Sequence, residues 1–313
     1  MTSPAHTAPT VPDARPGNWV DRLAPRGLRP YLRLARFDRP IGAWLLLFPC
    51  WWGQAMGELA SGRAYPNVWS LLLFLAGAFV MRGAGCTYND IVDRDIDAGV
   101  ARTRGRPIPS GEVTASQAAA FMVALCLIGL VVLLQFNTTT IWLGIASLGL
   151  VAIYPFMKRL TYWPQVVLGL TFKWGALVGW TAAQGSLAWP AVMLYAGCVL
   201  WTVAYDTIYA HQDKEDDLAL GLKSTAIRFG DATRQWLIGL YGSALLLWGV
   251  ASLQAGAGVG TFLALAICGG GFVWQVATLD TSDPANCLSR FKSNRFIGWI
   301  FFAGLVADMM IGQ

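Results

Sequence analysis

The chain has 313 residues, of which 55% are hydrophobic and only 13% are charged. Soluble domains average about 25% charged residues, so the composition excludes a soluble enzyme and indicates an integral membrane protein. In a soluble protein the net charge of +5 would suggest a nucleic-acid partner. Here we assign that charge to membrane topology and to contact with the lipid bilayer, and we expect no nucleic-acid partner.

The N-terminal residues are rich in Pro, Arg and small polar residues, and they lack the pattern of a cleaved signal peptide. We predict that residues 1–30 form a disordered cytoplasmic tail, which leads into an interfacial helix at 28–38. Residues 31–313 are predicted to form the membrane domain. Arg36 and Arg39, near the start of the first apolar stretch, fit an interfacial position as well as a substrate-binding role.

Apolar stretches of about 20 residues, long enough to cross a bilayer as a helix, follow one another along the chain. They lie near residues 41–60, 68–91, 114–134, 138–156, 164–184, 188–210, 232–253, 258–279 and 294–312. We therefore predict an all-α, polytopic membrane bundle of about nine transmembrane helices. With a cytoplasmic N terminus, 20 of the 23 basic residues lie on the cytoplasmic side, as the positive-inside rule requires.

The second apolar stretch ends in a cluster of carboxylates. Asp90, Asp93, Asp95 and Asp97 lie within eight residues, and so many neighbouring carboxylates require a neutralising partner. On a helix, Asn89, Asp93 and Asp97 lie one turn apart on one face. Their oxygens suit a hard cation. The alternative interpretation is a solvated run of charges at a helix end.

Basic residues surround this acidic cluster. Arg82 precedes Asn89 by about two helical turns and lies inside the apolar stretch, where arginine needs a partner within the bundle. We favour a structural counter-charge over a functional role for it. The segment 103–111 has the Gly and Pro content of an ordered loop, and its arginines could close over phosphate oxygens.

Two further basic features precede the second acidic cluster. Lys158 and Arg159 follow the fourth apolar stretch, where a basic pair is ordinarily a topology marker. On the same membrane side as the acidic residues, the pair is also a candidate diphosphate clamp. Lys173 lies well inside the fifth stretch and needs a partner that the sequence does not name.

The sixth apolar stretch leads into the second acidic cluster, DKEDD at 213–217. Asp213 and Asp217 repeat the four-residue spacing of the first cluster, so the two clusters would suit one divalent metal each around a diphosphate. A separation of four spans keeps both clusters on one membrane face. This recurrence predicts two pseudo-repeated halves with a site between them. The phosphate contacts considered in the following loop are Lys214, Lys223, Ser224 and Thr225.

Two other classes of protein use similar residues. A cation transporter would place its acidic residues near the bilayer midplane with access from both sides, whereas here all but Asp206 can be placed near an interface. A phosphatidyl-group transferase would also use Mg²⁺ and paired Asp, but its D-G-x-x-A-R signature is not found. Both interpretations therefore rank below an enzyme acting on a diphosphate.

The chain resembles the UbiA-type membrane prenyltransferases, and within that family the branch that prenylates 4-hydroxybenzoate in ubiquinone biosynthesis. The resemblance runs from about Arg33 to the C terminus. The resemblance rests on six sequence motifs: RLARFDRPIG from Arg33, MRGAGCTYNDIVDRDID from Met81, RTRGRPIPSG from Arg102, YPFMKR from Tyr154, YDTIYAHQDKEDD from Tyr205 and GLKSTAIRFG from Gly221.

This resemblance implies a Mg²⁺-dependent enzyme. It would transfer a polyprenyl group from a polyprenyl diphosphate to the ring carbon ortho to the hydroxyl of 4-hydroxybenzoate and release diphosphate. Homogentisate and naphthoate are the alternative acceptors. Because the first 30 residues do not show the features of an organelle transit peptide, we also expect a bacterial inner (plasma) membrane, with both acidic clusters on its cytoplasmic side.

The resemblance also implies roles for individual residues. The implied metal ligands are Asn89, Asp93, Asp97, Asp213 and Asp217. The implied catalytic residues are Asp93, Asp97, Asp213, Asp217 and Arg159. The implied diphosphate contacts are Lys158, Arg159, Lys214 and Arg94. For the carboxylate of the aromatic substrate, we favour Arg36, with Arg39 as the second choice.

Overall fold

The computed structural model describes residues 17–99 and 103–311, and every regular element within those ranges is helical. The helices are α1 (Trp19–Leu23), α2 (Arg29–Leu34), α3 (Ile41–Ala60), α4 (Val68–Val92), α5 (Arg94–Gly99), α6 (Ala115–Leu133), α7 (Thr138–Ile153), α8 (Met157–Leu160), α9 (Pro164–Phe172), α10 (Gly175–Gln184), α11 (Trp189–Ala210), α12 (Lys214–Ala219), α13 (Thr225–Phe229), α14 (Thr233–Gln254), α15 (Val259–Ala277) and α16 (Pro284–Ile311). Short 3₁₀ turns lie at Tyr154–Phe156, His211–Asp213 and Gly230–Ala232.

Within the described residues, eight helical segments are long and apolar enough to cross a membrane. This confirms the predicted all-α membrane class. The first predicted span corresponds to α3, which has 20 residues but is not among those eight. The last helix begins at Pro284, ten residues before the predicted span at 294–312. Hydropathy marks the apolar part of a helix, so it missed the basic first turns of α16.

Part of the segment 1–30, which was predicted to be a disordered tail, has a defined structure. Asn18 is the N-cap of α1, and its side chain accepts a hydrogen bond from the Val20 amide at 2.9 Å. Asp21 in α1 then pairs with Arg33 in α2 at 2.8 Å. Residues 17–30 therefore have a defined conformation, while residues 1–16 lie outside the described residues.

The chain divides into two compact units, and each is discontinuous in sequence. One unit contains the described residues up to Ala43 together with Ala76–Val131, and the other contains Trp44–Leu75 together with the chain from Val132 onward. The first acidic cluster belongs to the former unit and the second cluster to the latter.

Buried aromatic side chains form the core of the larger unit. Trp52 of α3, Trp201 of α11, Trp248 of α14 and Phe301 of α16 are fully buried. The ring of Trp52 lies 4.9 to 5.3 Å from the other three. The Trp52 indole donates to the Gly298 carbonyl at 3.0 Å, so its polar atom is satisfied inside the apolar core.

The partner that Lys173 requires is a carbonyl group left without a helical donor. Pro49 lies inside α3 and has no N–H, so it cannot bond the carbonyl of Leu45 one turn earlier. Lys173 is fully buried at the break between α9 and α10, and its Nζ donates to that carbonyl at 2.6 Å. The ammonium also lies 4.4 Å from the ring centroid of Trp201, which adds a cation–π contact.

We expect Lys173→Met to lower the free energy of unfolding by about 2 kcal/mol, because it leaves the Leu45 carbonyl buried without a donor. Pro49→Ala restores the helical N–H that bonds this carbonyl. In the Pro49→Ala background, Lys173→Met should therefore lower the free energy of unfolding by about 1 kcal/mol or less. Thermal unfolding of detergent-solubilised protein measures both. An equal loss in the two backgrounds would contradict the pairing of Lys173 with the proline-freed carbonyl.

Asp308 is a buried carboxylate for which the sequence pattern predicted no role. It lies in α16, and its two oxygens accept hydrogen bonds at 2.8 Å from the backbone amides of Gly258, Gly260 and Thr261. These are among the first amides of α15, which have no partners within their own helix. Asp308 therefore caps α15 from a neighbouring helix.

Candidate active site

The first acidic cluster lies where α4 passes into α5. Asp93 occupies the turn between the two helices, yet its amide bonds to the Asn89 carbonyl at 2.9 Å. The Asp97 amide bonds in turn to the Asp93 carbonyl at 2.8 Å. The helical spacing thus continues through the break, and Asn89 Nδ2 donates to Asp93 Oδ2 at 3.0 Å.

The four carboxylates of this cluster differ in exposure. Asp90, Asp93 and Asp97 are buried, with 0%, 1% and 4% of their surface exposed. The side chain of Asp95 is 89% exposed and lies 3.6 Å from Arg94, which is itself half exposed. The sequence places four carboxylates close together, and the structure separates one solvated aspartate from three buried ones.

A network of buried charges contains two of these aspartates. Arg36 Nη2 donates to both oxygens of Asp90, at 2.6 and 2.8 Å. Arg106 Nη1 donates to Asp90 Oδ1 at 3.1 Å and to Asp97 Oδ2 at 2.7 Å. Burial alone would lower the pKa of Arg36, but its neighbours, Asp90 first among them and Asp38 as well, together hold the pKa above its ordinary value.

The structure gives Arg36 partners that the sequence did not reveal. Besides its contacts with Asp90, its Nη1 donates to the carbonyls of Arg33 and Leu34 at 3.0 and 3.4 Å. Both terminal nitrogens of Arg36 are therefore engaged within the protein. Its role in binding the aromatic carboxylate stays a prediction.

Arg39, the second choice, lies beside a buried carboxyl group. Its Nη1 is 3.5 Å from Asp38 Oδ2. Among the residues that the structure describes, the other oxygen of Asp38 is buried without a hydrogen-bond donor. Burial raises the pKa of the Asp38 carboxyl, although Arg39 and Arg36 oppose the shift.

Arg82 lies against the backbone of Gly42. A Cβ atom at that glycine would lie 2.5 Å from Arg82 Nε, so the guanidinium would have to shift if residue 42 carried a side chain. The role of Arg82 as a structural counter-charge stays a prediction.

The first cluster has the donor chemistry for a magnesium ion. Within residues 17–99 and 103–311, no three His, Cys, Asp or Glu side chains converge as a metal cage. Mg²⁺ does not require such a cage, because it retains several waters and binds through one or two carboxylates plus substrate phosphates. Asn89, Asp93 and Asp97 supply hard oxygen donors of this kind, and they fit the ion by ligand type.

The second acidic cluster begins in a 3₁₀ turn and continues into α12. Asp213 is the last residue of the turn His211–Asp213, and α12 begins at Lys214. Asp213, Lys214 and Asp217 are partly buried, whereas Glu215 and Asp216 are exposed. The helix α11 ends before the cluster, at Ala210, because the chain tightens into the 3₁₀ turn there. As in the first cluster, the acidic residues differ in exposure: Asp213 and Asp217, one turn apart, are partly buried, and the acidic residues between them are exposed to solvent.

The basic pair after the fourth span lies next to the loop that follows the second cluster. The Lys223 amide donates to the Lys158 carbonyl at 2.9 Å, which joins α8 to this loop. Lys223 Nζ donates to the Leu160 carbonyl at 3.2 Å. Arg159 is exposed, and its guanidinium lies 5.9 Å from the Phe156 ring centroid.

Two of the residues predicted to contact phosphate, Ser224 and Thr225, form hydrogen bonds with other groups of the protein. Ser224 is buried and caps α13 by accepting from the Ile227 amide. Thr225 is fully buried, its amide donates to Gln165 Oε1 at 3.0 Å, and its hydroxyl lies 2.6 Å from that of Thr207. Their role in the described structure is to fix the loop.

The fold and these clusters define a class of protein, a helical membrane protein with hard oxygen donors at helix ends. Comparison with known proteins makes the assignment more specific. The model of the UbiA prenyltransferase family matches residues 46–304. The chain therefore belongs to the UbiA prenyltransferase family, which confirms the predicted resemblance.

Relatives with known names cover most of the chain. A protein of Aedes aegypti named 4-hydroxybenzoate polyprenyltransferase, mitochondrial, is 51% identical over 88% of this chain and 63% of its own length. A protein of the same name from Arabidopsis thaliana is 47% identical over 92% of this chain and 71% of its own. The chain thus spans less than two thirds of the mosquito relative.

Solved structures share the fold. The apo structure of a UbiA homolog from Aeropyrum pernix K1 has a TM-score of 0.71 at 25% identity, covering 84% of this chain and 98% of that chain. A UbiA homolog from Archaeoglobus fulgidus, bound to DMAPP and Mg²⁺, has a TM-score of 0.65 at 19% identity, covering 90% of this chain and 99% of that chain.

The expected location in a bacterial inner membrane is wrong. Three relatives at 46 to 51% identity, from two insects and a plant, are named as mitochondrial enzymes, and these names contradict a bacterial membrane. The prediction relied on the missing features of a transit peptide in the first 30 residues. The multi-pass membrane character is supported by the eight apolar helices within the described residues.

Proposed function

We propose that the protein transfers a polyprenyl group from a polyprenyl diphosphate to 4-hydroxybenzoate, at the ring carbon ortho to the hydroxyl, and releases diphosphate in ubiquinone biosynthesis. The observation that supports this most strongly is the 51% identity, over 88% of the chain, to a protein named for that activity. The same names support a mitochondrial membrane as the location.

We propose Mg²⁺ as the cofactor, with Asn89, Asp93 and Asp97 as donors in one cluster and Asp213 and Asp217 in the other. Bound Mg²⁺ would neutralise charge on the diphosphate as the allylic carbon–oxygen bond breaks. The helical spacing of these three residues supports the proposal, because the backbone hydrogen bonds from Asp93 to Asn89 and from Asp97 to Asp93 keep their hard oxygen donors one turn apart. The exposure of Asp95 removes it from the donor set.

Basic side chains would bind the diphosphate itself. We propose Lys158, Arg159, Lys214 and Arg94 in this role, since Lys and Arg form charge-assisted hydrogen bonds with phosphate oxygens. We add Arg106 to these proposed diphosphate contacts because of its position in the structure. Its Nε is buried and has no acceptor within the described residues, so it retains one donor for an incoming oxygen.

For the carboxylate of the aromatic acceptor, we propose Arg39 ahead of Arg36. The donors of Arg36 are committed to Asp90 and to backbone carbonyls. Arg39 lies beside Asp38, with 3.5 Å between Nη1 and Oδ2, and an incoming carboxylate would compete with Asp38 for this guanidinium. The electron-rich ring would then form a bond to the allylic carbon as diphosphate departs, and its ortho proton would pass to the diphosphate or to an aspartate of the acidic clusters.

The experiment that tests the acceptor supplies purified protein with one polyprenyl diphosphate, Mg²⁺ and each of three acceptors in turn. We expect a prenylated product from 4-hydroxybenzoate, with a kcat/KM at least about tenfold above that for homogentisate or naphthoate, since a site built for one polar pattern rejects others. Mass spectrometry identifies each product. A preference for either alternative acceptor would overturn the assignment of 4-hydroxybenzoate while retaining prenyl transfer.

A further inference from the structure

Asp90 is the least exposed carboxylate of the first cluster, and its observed partners are arginines. It accepts two hydrogen bonds from Arg36 and one from Arg106, and none of its surface is exposed. A carboxylate held by two guanidinium groups is already neutralised. Its contacts therefore distinguish it from Asp93, which accepts from the amide of Asn89.

The backbone of Arg36 indicates that its contact with Asp90 is specifically maintained. Arg36 has a φ of +59°, and it is the only residue other than glycine with a positive φ in the described part of the chain. Bulky residues rarely adopt this conformation, and it persists where the surroundings enforce it. Both oxygens of Asp90 and two backbone carbonyls supply that enforcement.

Arg106 connects Asp90 to a proposed metal ligand. A single nitrogen of Arg106 donates to Asp90 at 3.1 Å and to Asp97 at 2.7 Å. A guanidinium shared between two carboxylates is held less strongly by each of them than by one alone. A cation that binds Asp97 must displace Arg106 from it. Because Asp90 also attracts Arg106, it weakens the Arg106–Asp97 contact and makes this displacement easier.

We propose that Asp90 is a positioning residue: by sharing Arg106 with Asp97 and fixing Arg36, it sets the affinity of Asp97 for a divalent cation without contacting the cation. This inference rests on the proposed metal-dependent function. It also explains why Asp90 lies in the acidic motif yet faces arginines.

The test measures Mg²⁺ affinity by isothermal titration calorimetry, on the full chain in detergent, without prenyl diphosphate or aromatic acceptor. We expect Asp90→Asn to weaken Mg²⁺ binding about tenfold, because Arg106 then pairs with Asp97 alone. Arg106→Gln should tighten binding. In the Arg106→Gln background, Asp90→Asn should change the affinity by no more than about twofold, since the two residues act through one contact.

The matched control is Asp95→Asn, which removes the same charge from the same segment. Its exposed side chain is screened by solvent, so we expect a change below about twofold. An equal weakening by Asp90→Asn in both backgrounds would overturn the proposal, because Asp90 would then act on the cation directly. No effect of Asp90→Asn in the wild-type background would also overturn it.

Folding of each variant is checked by gel filtration before titration. If Asp90→Asn does not fold, Arg106→Gln alone decides: tighter Mg²⁺ binding supports the proposal, and unchanged or weaker binding overturns it. A wild-type protein that binds no Mg²⁺ would overturn both this inference and the proposed metal dependence. A protein that shows the expected affinities but does not prenylate 4-hydroxybenzoate would lose only the acceptor assignment.

Discussion

We expect Asp93→Asn to lower kcat/KM for prenyl transfer by about 10³-fold, the scale at which preorganised charge stabilises a transition state. Asp93 is buried and held by Asn89, so the substitution preserves its shape and removes its charge. Initial rates of product formation in membranes, at saturating Mg²⁺, measure the loss. An amide in place of this carboxylate provides a weaker donor for the cation and so less stabilisation of the departing diphosphate.

The control for this prediction is Asp95→Asn, two residues away. Because the Asp95 side chain is 89% exposed, we expect its variant to retain activity within about threefold. Equal losses in the two variants would show that the charge of the whole segment, rather than the buried carboxylate, supports catalysis.

The second cluster should show the same contrast. We expect Asp213→Asn and Asp217→Asn each to lower kcat/KM by about 10²-fold or more, because these partly buried aspartates lie one turn apart and are the proposed metal donors. Asp216→Asn should stay within about threefold, since Asp216 is exposed.

The Mg²⁺ concentration that gives half-maximal rate separates metal binding from other roles. It should rise in the Asp213 and Asp217 variants and stay constant in the Asp216 variant. A loss of rate in the Asp213 variant without any change in this concentration would count against metal coordination by Asp213.

Local sequence patterns predicted the helices and the acidic clusters. An apolar stretch of membrane length specifies a helix without reference to the rest of the chain, and the bounds of α6 and α15 fall within two residues of the predicted ones. The spacing of Asn89, Asp93 and Asp97 likewise survives a break in the helix, because backbone hydrogen bonds continue through the turn.

The partners of individual charges could not be predicted, because they depend on contacts between distant segments. Arg36 and Asp90 are 54 residues apart in sequence, and Lys173 and Leu45 are 128 apart. A signal did exist for the second pair. A proline inside an apolar helix leaves one carbonyl without a donor, and a lysine inside another span needs an acceptor. Nothing comparable distinguishes Asp90 from its neighbours.

Prenyl transfer to 4-hydroxybenzoate is measured most directly with the purified protein reconstituted in lipid vesicles and supplied with 4-hydroxybenzoate and a polyprenyl diphosphate. Prenylated product and released diphosphate are then quantified with Mg²⁺ and with EDTA. We expect equal amounts of product and diphosphate with Mg²⁺, prenylation ortho to the hydroxyl as shown by NMR, and no product with EDTA. Diphosphate release without a prenylated aromatic product, from protein shown to be folded, would contradict prenyl transfer to 4-hydroxybenzoate.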